Sequence, residues 1–458
     1  MSQSTASETV EALRATFHSG RTRPIAWRVA QLEAMRTLLK EREAELFDAL
    51  RADLGKSDFE AYATETGFVK AEIEHTLKHL GEWMRPRRVA TPLANQLGTS
   101  TIVPEPLGVA LIIGTWNYPV QLLLAPAIGA IAAGNCAILK PSELAPTTSA
   151  TLARLVPQYL DNDCIRVFEG AVPETTALLQ ERFDHIFFTG GGAVGRIVMA
   201  AAARHLTPVV LELGGKSPTI VDREVDMTIA ARRIIWGKFV NAGQTCIAPD
   251  YILVHREVER ALLSAFTDAL VDFFGADPER SKDFGRIING RHFDRLVALL
   301  GSGRAVAGGG HSRESLYIAP TVLADVQPDS PVMQEEIFGP ILPVLAVDSM
   351  DEAIRFINAR EKPLALYVFS RDKATQAKVI AQTSSGGLCV NDTLSHIAVP
   401  DMPFGGVGES GMGGYHGQAS FDVFTHHKGV LRRSTRVDPP IRYPPYTENS
   451  LRLARRLL

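Results

Sequence analysis

The chain has only four cysteines in 458 residues: Cys136, Cys164, Cys246 and Cys389. They are far apart, with no CxxC pair and no zinc-like spacing. That excludes a disulfide framework and makes a reducing compartment the expected home. Excess basic charge is also lacking. The 48 Lys and Arg stand against 51 Asp and Glu, a formal net charge of −3. This balance excludes a surface built to hold a nucleic-acid backbone, and the slight acidity implies no cationic partner. No window offers the roughly 18 uninterrupted apolar residues of a membrane span. The nearest, 109–139, is broken by Trp116-Asn117-Tyr118-Pro119, Gln121 and Gly134-Asn135. The first 17 residues lack the apolar core of a signal peptide, and the last eight, LRLARRLL, are polar and basic. A cytoplasmic protein without a membrane span is therefore expected. HExxH and GxSxG are absent, as are internal repeats and low-complexity tracts.

What is present is an ordinary globular composition, 45% hydrophobic and 22% charged. The length suggests about two to four domains. Residues 7–83 read as helices, with apolar residues at helical spacing over 27–54. A Pro-rich extended stretch, 85–106, reads as an arm or crossover. Strand-like and helix-like segments then alternate, which predicts mostly parallel sheet covered on both faces. One set runs to about residue 205, and a second is expected to open near Val209. A Gly-rich run, 403–417, follows the last strand signal.

Several segments suit chemistry. Cys246 ends VNAGQTC, a loop of small and polar residues just after a helix, where an accessible thiolate could serve as nucleophile. A lone cysteine is more often an inert hydrophobe. Glu212 follows an apolar strand and precedes two glycines, a place for a general base. The plainer reading pairs it with Lys216. Thr189-Gly-Gly-Gly-Ala-Val-Gly195 lies between a strand and a helix and fits G-x-G-x-x-G, a cradle for a dinucleotide phosphate. That fingerprint would give Glu212 to a ribose hydroxyl. Lys140 and Glu143 follow a strand end, where ligands of α/β sheets sit. Trp116 and Asn117 follow another, and the Asn117 amide N–H suits an oxyanion. Glu336 lies beside Phe338. His75 and His79 are one helical turn apart, but no third metal ligand is evident; a solvated helix face is the better reading. His426-His427 reads as surface.

WNYP, KPSE, FTG-x-x-x-VG, LELGGKSP, GQTC, EEIFGP and PFGGVGxSGMG occur in this order over 17–428. Together they resemble the aldehyde dehydrogenase superfamily. SGRTRPIAWRVAQLEAM, HLTPVVLELGGKSP and WGKFVNAGQTCIAPDY resemble its class 3 branch, which includes fatty, aromatic and coniferyl aldehyde enzymes.

The resemblance implies an α/β fold of two doubly wound domains, an atypical Rossmann cofactor domain and an α/β catalytic domain, with a small β bridging or oligomerisation element. It implies a cofactor domain over 1–84 and 104–208 and a catalytic domain over 209–400. The bridging element takes 85–103 and 401–435, and 436–458 is a tail. It implies NAD or NADP as cofactor, no metal, a small aldehyde as substrate, and a homodimer. Cys246 matches the nucleophile, Glu212 the base that activates hydrolytic water, and Asn117 an oxyanion donor. Lys140 and Glu336 match residues on the two cofactor riboses. Phe338 lies beside the nicotinamide ribose and Glu143 near the adenosine ribose. Thr189, Gly190, Gly195 and Trp116 complete the expected cofactor contacts. Glu212 is thereby the base rather than a ribose ligand. Tyr118, Trp236, Thr245, Phe404 and His416 are candidate substrate-pocket residues. One departure is Gly191, where many members carry Ser. Acylating relatives typically lack the Glu, so its presence points to hydrolysis to the free acid.

Overall fold

The structure is a computed structural model describing residues 5–438 and 440–457. Five α-helical segments and one π-helical turn between Ala6 and Trp83 open the chain. The helix Glu43–Leu54 stops at Gly55, whose positive φ of 67° a side-chain-bearing residue would resist. Among the described residues the rest of the core is two sheets. The first has six strands, and its central run pairs Val109–Ile113, Cys136–Lys140, Ile165–Val167 and His185–Thr189 in parallel. Three of these strands are buried at every position. Burial on both faces is why they read as continuous apolar runs rather than alternating ones. The helix Gln121–Ala133 is buried all round. At 13 residues it is a core helix rather than a membrane span. Among the described residues, no helix is long and apolar enough to cross a membrane.

The second sheet has seven strands, parallel except at one edge, where Arg304–Ala307 runs antiparallel to Thr321–Ala324. The opening of the second set near Val209 is corrected by the pairing. Val209–Glu212 lies parallel to His185–Thr189 in the first sheet, with Thr189 opposite Glu212. The second sheet is entered only at Pro218–Val221. Hydrophobic runs on either side of Gly214-Gly215 look alike in sequence, and only hydrogen bonding separates them. The Gly-rich C-terminal run returns to the first sheet, where Gly411–Met412 pairs antiparallel with Glu212 and Leu211.

The arm is extended as expected. Gly98–Pro106 pairs over its whole length with Thr425–Arg433, and Arg87–Val89 adds a third strand. His426 and His427 lie exposed on this small sheet. The solvated face expected for His75 and His79 is corrected. Both are half-buried, their rings 4.4 Å apart and packed beside Trp83.

Candidate active site

The loops at the carboxyl ends of three neighbouring strands of the first sheet converge on one cavity of about 230 Å³. Trp116 and Asn117 come from the loop after Val109–Ile113, Thr189 and Gly190 from the end of His185–Thr189, and Glu212 from the end of Val209–Glu212. This is where a parallel sheet offers its ligand crevice. Cys246 enters from the second set, after the helix Met227–Phe239, and Glu336 and Phe338 enter from the loop before Ile341–Val347.

The cysteine loop is not a flexible surface segment. Asn241, Gln244 and Thr245 are buried, and Gln244 spans Asn241 O, Arg286 O and the Ile288 N–H. Asn241 and Ala242 both hold φ of 52°, and Gly243 holds 74°. Such backbone is costly for residues with a Cβ and persists only where the surroundings impose it. A Cβ on Gly243 would also strike the Gly339 carbonyl.

Several polar groups facing the cavity lack protein partners. Neither carboxylate oxygen of Glu212 makes a hydrogen bond, although the residue is only 3% exposed. Burial raises its carboxyl well above the usual range. Lys216 does not pair with it. That ammonium holds Asp250 and accepts no role at Glu212, donating instead to Val332 O at 2.8 Å and Glu335 O at 2.9 Å. Glu336 Oε1 and Thr189 Oγ1 are also unpartnered. Burial, then Asp250, pushes the Glu336 carboxyl up to about 8. The Cys246 thiol is pushed up by burial first, then by Glu336 and Glu212. Asn117 Nδ2 donates one N–H to Gln244 O at 3.0 Å, which leaves its second N–H free.

Gly214 permits this arrangement, because a Cβ there would collide with the Glu336 carboxylate. Lys216, Asp250 and Arg295 fix the 335–338 loop. Asp250 accepts from the Ile337 N–H at 3.0 Å, and Arg295 donates to Ile337 O at 2.6 Å. His292 also lines the cavity, its ring 5.2 Å from Trp116, with burial holding it down to about 4. Sequence reading missed Asp250, His292 and Arg295, and gave Lys216 a different partner. Lys216 and Asp250 stand inside or just beyond noted motifs, whereas the short helix Gly290–Val297 that carries His292 and Arg295 bears no signal of its own.

The remaining candidates lie outside that cavity wall. Lys140 is buried at its strand end, with Nζ on Pro141 O at 2.7 Å and 3.9 Å from the half-exposed Glu143. Gly195 is buried in the first turn of Gly192–Ala203, where a Cβ would press on Leu213. Tyr118 and Thr245 are buried with their hydroxyls 2.5 Å apart. Phe404 and His416 are buried 5.7 Å apart, and His416 stacks on Tyr415. Trp236 is 46% exposed on the helix Met227–Phe239. Among the described residues no group of three or more His, Cys, Asp or Glu is arranged to hold a metal ion.

Two α/β sheets thus bring a cysteine, an unpartnered buried carboxylate and a Gly-rich strand-to-helix turn to one crevice. Residues 1–430 match the aldehyde dehydrogenase family. The chain is 51% identical to the dimeric NADP-preferring aldehyde dehydrogenase of Rattus norvegicus over 444 residues, 96% of this chain and 98% of that one. It is also 51% identical to aldehyde dehydrogenase family 3 member B1 of Homo sapiens over 448 residues, 97% and 96% of the two chains. A solved structure of the substrate-bound state of Staphylococcus aureus AldH superposes with a TM-score of 0.97 at 46% identity, covering 99% of each chain. The chain belongs to the aldehyde dehydrogenase family, in its class 3-like branch, and is an aldehyde-oxidising enzyme that uses a nicotinamide cofactor.

Proposed function

We propose that the enzyme converts an aldehyde to its carboxylic acid through a thioester on Cys246, hydrolysed by water that Glu212 activates. The observation that carries this reading is the shared cavity of Cys246, Asn117 and Glu212, in which both Glu212 oxygens are left without a partner. The deprotonated Cys246 sulfur attacks the aldehyde carbon, and the carbonyl oxygen becomes an alkoxide. The free Asn117 amide N–H and the Cys246 backbone N–H hold that alkoxide. When bound, NAD or NADP supplies the hydride acceptor. The acyl group is then a thioester on Cys246. Glu212 takes a proton from water, the oxygen bonds to the acyl carbon, and the carbon–sulfur bond breaks to return the thiolate and release the acid.

The residues present fit a dinucleotide. Glycines crowd the N-terminus of the 12-residue helix Gly192–Ala203, a Cβ at Gly191 would meet open space, and Thr189 Oγ1 and Glu336 Oε1 are unpartnered. Lys140, Glu143 and Glu336 would hold the riboses. Thr189, Gly190 and Gly195 would form the phosphate turn, with Trp116 and Phe338 beside the nicotinamide half. Residues 1–84 and 104–208, joined by the strand Val209–Glu212, form the cofactor domain in this reading, and the stretch from Pro218 to about 400 the catalytic one. Tyr118, Trp236, Thr245, Phe404 and His416 suit an aromatic or medium- to long-chain aliphatic aldehyde. The 85–103 and 401–435 element would make the contacts of a cytoplasmic homodimer.

The test is reduced-cofactor formation by wild type and Cys246→Ala, with NAD and NADP against short aliphatic, long aliphatic and aromatic aldehydes. Activity confined to the wild type is expected. Equal activity in both proteins would reject the thioester.

A further inference from the structure

We propose that the buried Lys56–Glu65 ion pair is the positioning device for the oxyanion amide, holding the Asn117 main chain from behind so that its side chain faces Cys246. The inference rests on the role given to Asn117 above. Lys56 follows the left-handed Gly55, and its side chain and that of Glu65 are 0% exposed. The ammonium has three N–H groups and three partners: Glu65 Oε1 at 2.6 Å, Asn117 O at 3.0 Å and the face of the Tyr118 ring at 4.0 Å. Glu65 stands in a single π-helical turn, Tyr62–Thr66, inserted between two α-helical segments. Such one-turn insertions re-aim side chains and recur at functional sites. Its second oxygen accepts from the Val120 N–H at 3.0 Å and the Gln121 N–H at 2.8 Å. A carboxylate is electrostatically at home there, at the start of the helix Gln121–Ala133.

The pair therefore grips the Trp116–Pro119 loop at both ends, on the Asn117 carbonyl and on the amides just after Pro119. The same anchors tie that loop to the cysteine loop. Asn117 O also accepts from Asn241 Nδ2 at 2.8 Å, and Gln244 O accepts from both Asn117 Nδ2 at 3.0 Å and Asn241 Nδ2 at 3.1 Å. Neither Lys56 nor Glu65 lines the cavity that holds Cys246, so the pair acts through Asn117 and touches no reacting atom. Stability does not account for it. A buried ion pair replaced by apolar or neutral residues of similar size is often as stable, whereas losing one member strands a buried charge. An apolar filling would not donate to the Asn117 carbonyl.

The experiment uses the full-length enzyme with its best aldehyde and compares Lys56→Met, Lys56→Met/Glu65→Gln, Asn117→Ala and Lys56→Met/Asn117→Ala. Melting temperature, kcat, aldehyde KM and cofactor Kd are measured for each. Lys56→Met is expected to lower kcat by about 10- to 100-fold, the scale of a misplacement near 1 Å, with aldehyde KM and cofactor Kd nearly unchanged. The Lys56→Met/Glu65→Gln variant should regain most of the melting temperature while kcat stays low. In the Asn117→Ala background, Lys56→Met should cost little further kcat, since residues that act as one unit are not additive. Recovery of kcat together with melting temperature in the neutral double variant would overturn the proposal. So would an undiminished Lys56→Met effect in the Asn117→Ala background, with Asn117→Ala itself impaired. Wild-type kcat in Asn117→Ala would instead reject the oxyanion role of Asn117, and the positioning role with it.

Discussion

The cavity wall and the layer behind it treat buried polar atoms in opposite ways. On the wall, both oxygens of Glu212, one of Glu336 and the hydroxyl of Thr189 face inward without partners. Behind it, the Lys56 ammonium and the Glu65 carboxylate spend their polar atoms on each other and on the 117–121 backbone, and Lys216 and Asp250 do the same for the 335–337 loop. Leaving a polar group buried and unpaired costs roughly 1–3 kcal/mol. The Lys56–Glu65 and Lys216–Asp250 pairs behind the wall are, by contrast, hydrogen-bonded to each other and to the backbone. The contrast separates groups left without partners at the cavity from groups whose hydrogen bonds fix the loops behind it.

The largest way to break this contrast is to remove the nucleophile. Cys246→Ala should lower aldehyde oxidation by at least about 10³-fold, measured as reduced-cofactor formation, while cofactor binding persists. Glu212→Gln keeps the shape of the wall but removes the base. A single-turnover burst of reduced cofactor should be followed by a stall, with steady turnover down by about 10²- to 10⁴-fold. Undiminished steady turnover would show that hydrolysis runs without this carboxylate. Asn117→Ala, which joins the two layers, should cost about 10²- to 10³-fold in kcat.

A smaller effect sharpens the electrostatics. Cys246 must lose its proton to react, and burial, Glu336 and Glu212 all push its thiol upward. Alkylation of Cys246 and kcat/KM should therefore both rise with pH through the alkaline range and fall toward neutrality. Glu336 itself is held up to about 8, so it is mostly neutral at pH 7 and adds its repulsion only above about pH 8. Glu336→Gln should alkylate like wild type at pH 7 and about threefold faster near pH 9. A constant ratio across pH would mean that the Glu336 charge does not reach the thiol.

Much of this was legible in the chain. Cys246, Asn117, Glu212, Thr189, Gly190, Glu336, Phe338 and Trp116 carry motifs at strand or helix ends, and they line one cavity. The alternation of strand and helix signals indicated two sheets because buried parallel strands leave continuous apolar runs. What could not be read is long-range. Lys56 and Glu65 look like ordinary helix-surface charges until the chain 61 residues beyond Lys56 is folded against them. His292 and Arg295 are nothing more than two polar residues on a short helix. The placement of Val209–Glu212 in the first sheet depends on pairing, which local hydrophobicity does not encode.

That strand joins distant parts of the chain. The strand that carries Glu212 is closed on one side by Thr189 and its neighbours, and on the other by Gly411 and Met412, some 200 residues downstream. Without that outer pairing the Glu212 strand would be a sheet margin open to stray pairing. A chain lacking Gly411 and Met412 would keep Cys246 and the Gly190–Gly195 turn yet leave the Glu212 strand unpaired on its outer side. Closure of the sheet around Glu212 thus rests on a contact of long sequence separation, the kind that forms more slowly than local structure.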